Sequence, residues 1–182
     1  IYTGYLGSPK QIQIVSDFIK DFRQPDSLVV ADPVLGDNGR LYTNFDMEMV
    51  KEMRHLITKA DVITPNLTEL FYLLDRPYKA DNTDEELKEY LRLLSDKGPE
   101  VVIITSVPVH DEPHKTSVYA YNRQGKPLLE SDLSLSARPL SGYGRYFYQC
   151  HHRLFDAGRQ SADGVGPCHT VYPARYSCHF WV

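Results

Sequence analysis

Three short stretches of the 182-residue chain place acids, hydroxyls and an amide at spacings that could do chemistry. In "ADPVLGDNG", Asp32 follows an apolar run and Asp37 comes five residues later in a glycine-containing loop. Two carboxylates near one strand end can hold a hard divalent cation, directly or through water. An Asp-Pro turn followed by a loop aspartate accounts for the same letters. In "ITPNLTEL", Thr64, Asn66 and Glu69 lie between a short apolar run and a helical one. Asn66 can cap the helix with Glu69 as its capping-box partner. Alternatively, Glu69 faces a cation, and Asn66 and the helix N-terminus face phosphate oxygens. In "VVIITS", Thr105 and Ser106 close a β-branched run with two hydroxyls, which turn chemistry alone also explains.

The elements that must carry these residues follow from periodicity. "SPKQIQIVSDFIKDF" reads as a helix with Ser8 as cap and Pro9 in its first turn, and with Ile12, Val15, Phe18, Ile19 and Phe22 on one face. "FDMEMVKEMRHLITKA" and "LTELFYLL" read as two more helices. "TDEELKEYLRLLSDKG" is a fourth, capped by Thr83 and Glu86 and ended by Gly98. "SLVVADP", "DVITPN" and "EVVIITS" have the short apolar character of buried strands, preceded by the end of another at Ile1–Tyr5. "TSVYAYNRQGK" alternates as an antiparallel edge strand would. Strands alternating with helices imply an α/β fold, a mostly parallel sheet with helices on both faces. In such sheets ligands sit beyond the carboxyl ends of the strands. All three polar clusters fall at those exits, the layout of a site for a magnesium-bound polyphosphate. No G-x-x-x-x-G-K-[ST] string is present, so the chain is not a P-loop ATPase.

Taken in order, "YTGYLGS", "ADPVLGDNG", "DVITPNLTEL" and "VVIITS" resemble the pyridoxal kinases of the ribokinase-like superfamily, over residues 1 to about 126. The resemblance implies ATP-dependent phosphorylation of pyridoxal or a related B6 vitamer at its 5′-hydroxymethyl group. Hydroxymethylpyrimidine kinase activity and a catalytically dead nucleotide- or vitamin-binding remnant are the alternatives. It implies Asp32, Asn66, Glu69, Thr105 and Ser106 along ATP, and Asp37, Thr64 and Glu69 around Mg2+, with a monovalent cation as a further candidate cofactor. Tyr5 is similar to the family tyrosine beside the pyridoxal ring. The expected partners are ATP and pyridoxal, in the cytoplasm, with family members commonly homodimeric. The family's first strands would precede Ile1, which suggests a fragment.

A net charge of −4 gives no basic field for nucleic acid. No apolar run approaches the roughly 18 residues of a membrane span, and the start lacks a signal-peptide pattern. The body is free of cysteine, which fits a reducing compartment.

The family's G-T-G-D motif, whose aspartate acts as base on the substrate hydroxyl, is absent. Where it belongs, the sequence changes character: "SARPLSGYGRYFYQCHHRLF" has neither helical nor strand period. One extra base after the Lys126 codon explains both facts, because codons can be chosen whose shifted frame reads L-P-A-H-Y-P-G-T-G-D. Residues 1–126 then form a partial kinase domain and 127–182 a frameshifted segment, never selected to pack and expected to be poorly ordered. The histidines and cysteines of this segment, such as Cys150, His151 and His152, lack structural-zinc spacing. With no catalytic aspartate, the chain is expected to be inactive or weakly active.

Overall fold

The structure is a computed structural model, and it describes residues 1–108, 116–124 and the backbone of 177–181. Three two-residue strands, β1 (Tyr2–Thr3), β2 (Val30–Ala31) and β5 (Val62–Ile63), run parallel beside the longer β6 (Val101–Pro108). β7 (Thr116–Asn122) pairs antiparallel with β6, and β8 (Ser177–Trp181) runs parallel to β7, giving the order β1-β2-β5-β6-β7-β8. The expected strand at the edge is therefore flanked on both sides. The remaining expectations for residues 127–182 lie outside the described residues.

β3 (Gly36–Asp37) and β4 (Arg40–Leu41) form a separate hairpin. The sequence reading took this stretch as a loop. The hairpin turns through Asn38 and Gly39, both with positive φ, where glycine carries no Cβ penalty.

Among the described residues, four helices connect the strands: α1 (Pro9–Phe22), α2 (Met47–Ile57), α3 (Leu67–Leu74) and α4 (Asp84–Ser95). Each begins at a capping side chain, Ser8, Asp46, Asn66 and Thr83 in turn. Strand residues alternate between two clusters. Ala31, Ile63, Val102 and Ile104 pack with all four helices, while Val30, Val62, Ile103 and Ala120 form a second apolar cluster on the other face. Among the described residues, no helix is long and apolar enough to cross a membrane.

The α1 stripe is narrower than its periodicity suggests. Ile12 and Ile19 are fully buried, whereas Phe18 and Phe22 are exposed and stack on each other at 4.8 Å. At about 100° per residue, Phe18 lies about 120° round the helix from Ile12, beyond what one packed layer covers.

Candidate active site

Parallel pairing brings the first two strand exits side by side. Asp32 leaves β2 and its backbone N–H donates to Thr3 O at the end of β1, 2.9 Å away. Thr64 leaves β5 with its N–H on Ala31 O. At the next exit, Asn66 bridges Thr105, whose N–H donates to Pro65 O. So Asp32, Thr64 and Thr105 belong to three adjacent strands at one end of the sheet.

The first turn of α3 ties this end to the loop carrying Asp37. Asn66 Oδ1 accepts from Glu69 N, and Glu69 Oε2 accepts from Asn66 N at 2.8 Å, a complete capping box. Both side chains also reach across the site. Glu69 Oε1 accepts from Leu35 N at 3.0 Å, and Asn66 Nδ2 donates to Gly36 O at 2.8 Å. Thr68 Oγ1, also buried, accepts from Gly39 N at 2.9 Å. Three residues of one helical turn thus pin the β3–β4 hairpin. Thr68 was missed in the sequence because a threonine between two capping residues has an unremarkable local role.

Burial sets the electrostatics. Glu69 is 3% exposed. Its carboxyl is pushed up to about 8, chiefly by burial; the N–H donors of Asn66 and Leu35 oppose the rise, and the charge of Asp32 adds to it. Asp32 is pushed up to about 7 by burial. Neither takes part in an ion pair among the described residues. The Thr64 hydroxyl is buried without a hydrogen-bond partner, as is that of Thr3. Buried carboxyls without a cation beside unpaired hydroxyl oxygens are the donor set a hard cation would complete.

The other candidate residues are placed less tightly. Asp37 accepts from Asn38 N and Nδ2 of its own turn, at 2.8 and 3.3 Å. No three His, Cys, Asp or Glu side chains among the described residues gather as a ready-made metal cluster. Asp37 lies in the hairpin, Glu69 in the first turn of α3 and Thr64 at the exit of β5. Thr105 and Ser106 do not end their strand as expected. β6 continues to Pro108 past a break in register between Ile104 and Val107, and Ser106 adopts φ +59 there. A bulge of this kind re-aims side chains without ending the pairing. Tyr5 is 64% exposed on the loop after β1 and stacks on Phe45, with centroids 5.6 Å apart.

A family model described as phosphomethylpyrimidine kinase matches residues 1–137. The chain belongs to the phosphomethylpyrimidine kinase family. A member crystallised from Bacteroides thetaiotaomicron VPI-5482 in an orthorhombic form with pyridoxal, and assigned as a phosphomethylpyrimidine kinase, is 96% identical. That match covers 69% of this chain and 44% of the other, with a TM-score of 0.67. The rhombohedral form covers 87% of this chain and 54% of the other at 74% identity and a TM-score of 0.73. Pyridoxal kinase PdxY of Actinobacillus pleuropneumoniae is 33% identical over 145 residues, 72% of this chain and 48% of the relative. The pyridoxal kinase of Leishmania donovani in complex with ADP is 30% identical, covering 64% and 41% of the two chains, with a TM-score of 0.55. This family member spans about a third to a half of the length of the curated relatives it matches.

Proposed function

We propose that the chain derives from a kinase that transfers the γ-phosphoryl group of ATP to the 5′-hydroxymethyl group of pyridoxal and related B6 vitamers. The observation that carries this reading is the set of polar groups at three adjacent strand exits, Asp32, Thr64 and Thr105, with the unpaired hydroxyl of Thr64 among them. Asp32 and Thr64 would hold a cation through their carboxyl and hydroxyl oxygens, with a monovalent ion as a further candidate. Asp37 and Glu69 would face Mg2+ through water, since each Glu69 oxygen already accepts a backbone N–H. Bound Mg2+ supplies charge neutralisation at the polyphosphate. The capped N-terminus of α3 orients its donors toward an anion, and Thr105 and Ser106 lie along the nucleotide. Tyr5 receives the pyridine ring. Pyridoxal in the Bacteroides crystal and the name of the Actinobacillus relative support pyridoxal as substrate. The family description favours a hydroxymethylpyrimidine as the second reading. A cytoplasmic location and a homodimer go with the kinase reading.

Residues 127–182 are proposed to be read in a shifted frame. The identities support this: extending the match from 69% to 87% of the chain lowers identity from 96% to 74%, so the added residues contribute almost none. Without the G-T-G-D aspartate, general-base catalysis is lost, typically about 10²–10⁴-fold. The test is ATP-dependent phosphorylation of pyridoxal by two proteins, this chain and a version with one base removed after the Lys126 codon. The repaired reading frame is expected to turn over at least about 100-fold faster. Equal, measurable rates would refute the frameshift, and a repaired protein that phosphorylates a hydroxymethylpyrimidine but not pyridoxal would refute the substrate.

A further inference from the structure

Tyr5 sits in "TGYLGS", flanked by Gly4 and Gly7 on a segment that is neither strand nor helix. It therefore lies outside the regular hydrogen bonding of the sheet and the helices. The ring nevertheless has a defined orientation. It lies nearly parallel to that of Phe45, 21° between planes, with one face covered and the residue largely open to solvent.

Phe45 is anchored in the core where Tyr5 is exposed. It immediately precedes Asp46, the cap of α2, and is 8% exposed. Its N–H donates to Tyr42 O at 2.9 Å, and its ring meets the Tyr42 ring edge-on at 6.0 Å. It joins the same core cluster as Val50 in the following helical turn, the arrangement of a hydrophobic staple. A buried ring thus backs an exposed one.

We propose that Phe45 is a positioning residue that holds the Tyr5 ring as a flat platform for the planar heteroaromatic ring of the substrate. The inference rests on the assignment of Tyr5 to the substrate pocket. Phe45 acts only through Tyr5, which it orients before binding, so that the substrate does not have to order that ring itself. Aromatic pairs of this geometry carry enough stabilisation for a several-fold to about tenfold change in affinity.

The test is a double-mutant cycle on the full chain, with pyridoxal and Mg-ADP titrated separately by calorimetry. Phe45→Leu is expected to weaken pyridoxal several-fold to about tenfold and leave Mg-ADP unchanged, and Phe45→Tyr should restore the affinity. In a Tyr5→Leu background, Phe45→Leu should have no further effect on pyridoxal. The Tyr5 ring resonances, shifted upfield by the Phe45 ring current, should move on Phe45→Leu before any ligand is added. Unchanged pyridoxal affinity in Phe45→Leu, or an equal loss with and without Tyr5, would overturn the inference alone. Loss of Mg-ADP binding in parallel would mark Phe45 as merely structural and overturn it too. No pyridoxal binding by the parent chain would overturn the substrate reading and this inference with it.

Discussion

Among the described residues are two capping boxes of the same chemistry, and of these the one at α3 also bonds the β3–β4 hairpin and its approach. Thr83 and Glu86 at α4 repeat the reciprocal hydrogen bonds of Asn66 and Glu69 at α3. Glu86 lies at the surface, paired with Lys79, and that bond together with the Thr83 N–H holds its carboxyl below its usual value. Glu69 is buried, has no cation, and is held well above it. Its carboxyl also accepts from Leu35 N, and Asn66 Nδ2 donates to Gly36 O. A cap needs an acid at its third position; it does not need that acid buried and unpaired. A ligand site at the start of α3, and none at α4, would account for the difference.

Breaking the α3 box should therefore cost far more than breaking the α4 box. Glu69→Ala leaves the N–H groups of Leu35 and Asn66 without an acceptor, and should lower stability by about 2–4 kcal/mol in urea denaturation. Glu69→Gln keeps one acceptor oxygen but turns its NH2 donor toward the other backbone N–H, so it should recover only part of that loss.

The acids of the two boxes, Glu69 and Glu86, differ in the sign of their pH dependence, and Asp32 goes with Glu69. Asp32 rises from 3.8 to about 7 and Glu69 from 4.5 to about 8, so the folded state holds protons that the unfolded state has released. Their contribution is full below about pH 4 and is lost as pH rises towards 8. In metal-free buffer the melting temperature should fall over that window, and Asp32→Asn should flatten the fall. Glu86, shifted downward, contributes stability above its ordinary value that is lost only as the solution becomes more acid. Glu86→Gln should leave the neutral-pH slope unchanged.

Smaller effects sharpen the contrast. Thr68→Val removes the acceptor for Gly39 N and should cost about 1–2 kcal/mol. It should also speed amide exchange at Gly39 in the hairpin. Thr83→Ala, at the exposed box, should cost about 1 kcal/mol or less by the same denaturation measurement.

Both boxes were legible in the sequence, because Asn-x-x-Glu and Thr-x-x-Glu are local patterns between neighbouring residues. The alternation of short apolar runs with capped helices likewise disclosed the α/β sheet, since each element is set by nearby side chains. What lay hidden depends on contacts between residues some thirty apart. The reach of Glu69 to Leu35 and of Asn66 to Gly36 exists only once the hairpin has folded onto α3. The bulge at Thr105 and Ser106 is a property of the pairing with β7, not of "VVIITS" itself. Phe18 and Phe22 share a helical period with Ile12 and Ile19, yet lie outside the covered arc. Tyr5 was singled out by its motif, while Phe45, the ring that orients it, carries no motif at all.

The most direct test of the strand-exit site is calorimetric titration of Mg-ADP into the metal-free chain at pH 7, repeated in buffers of different ionisation enthalpy. A cation and nucleotide bound beside Asp32 and Glu69 should drive off the protons those acids hold. The expected result is binding with net proton release, diminished in Asp32→Asn and in Glu69→Gln and unaltered in Glu86→Gln. Binding with no proton release, or release that survives both substitutions, would contradict a cation and nucleotide site at these strand exits.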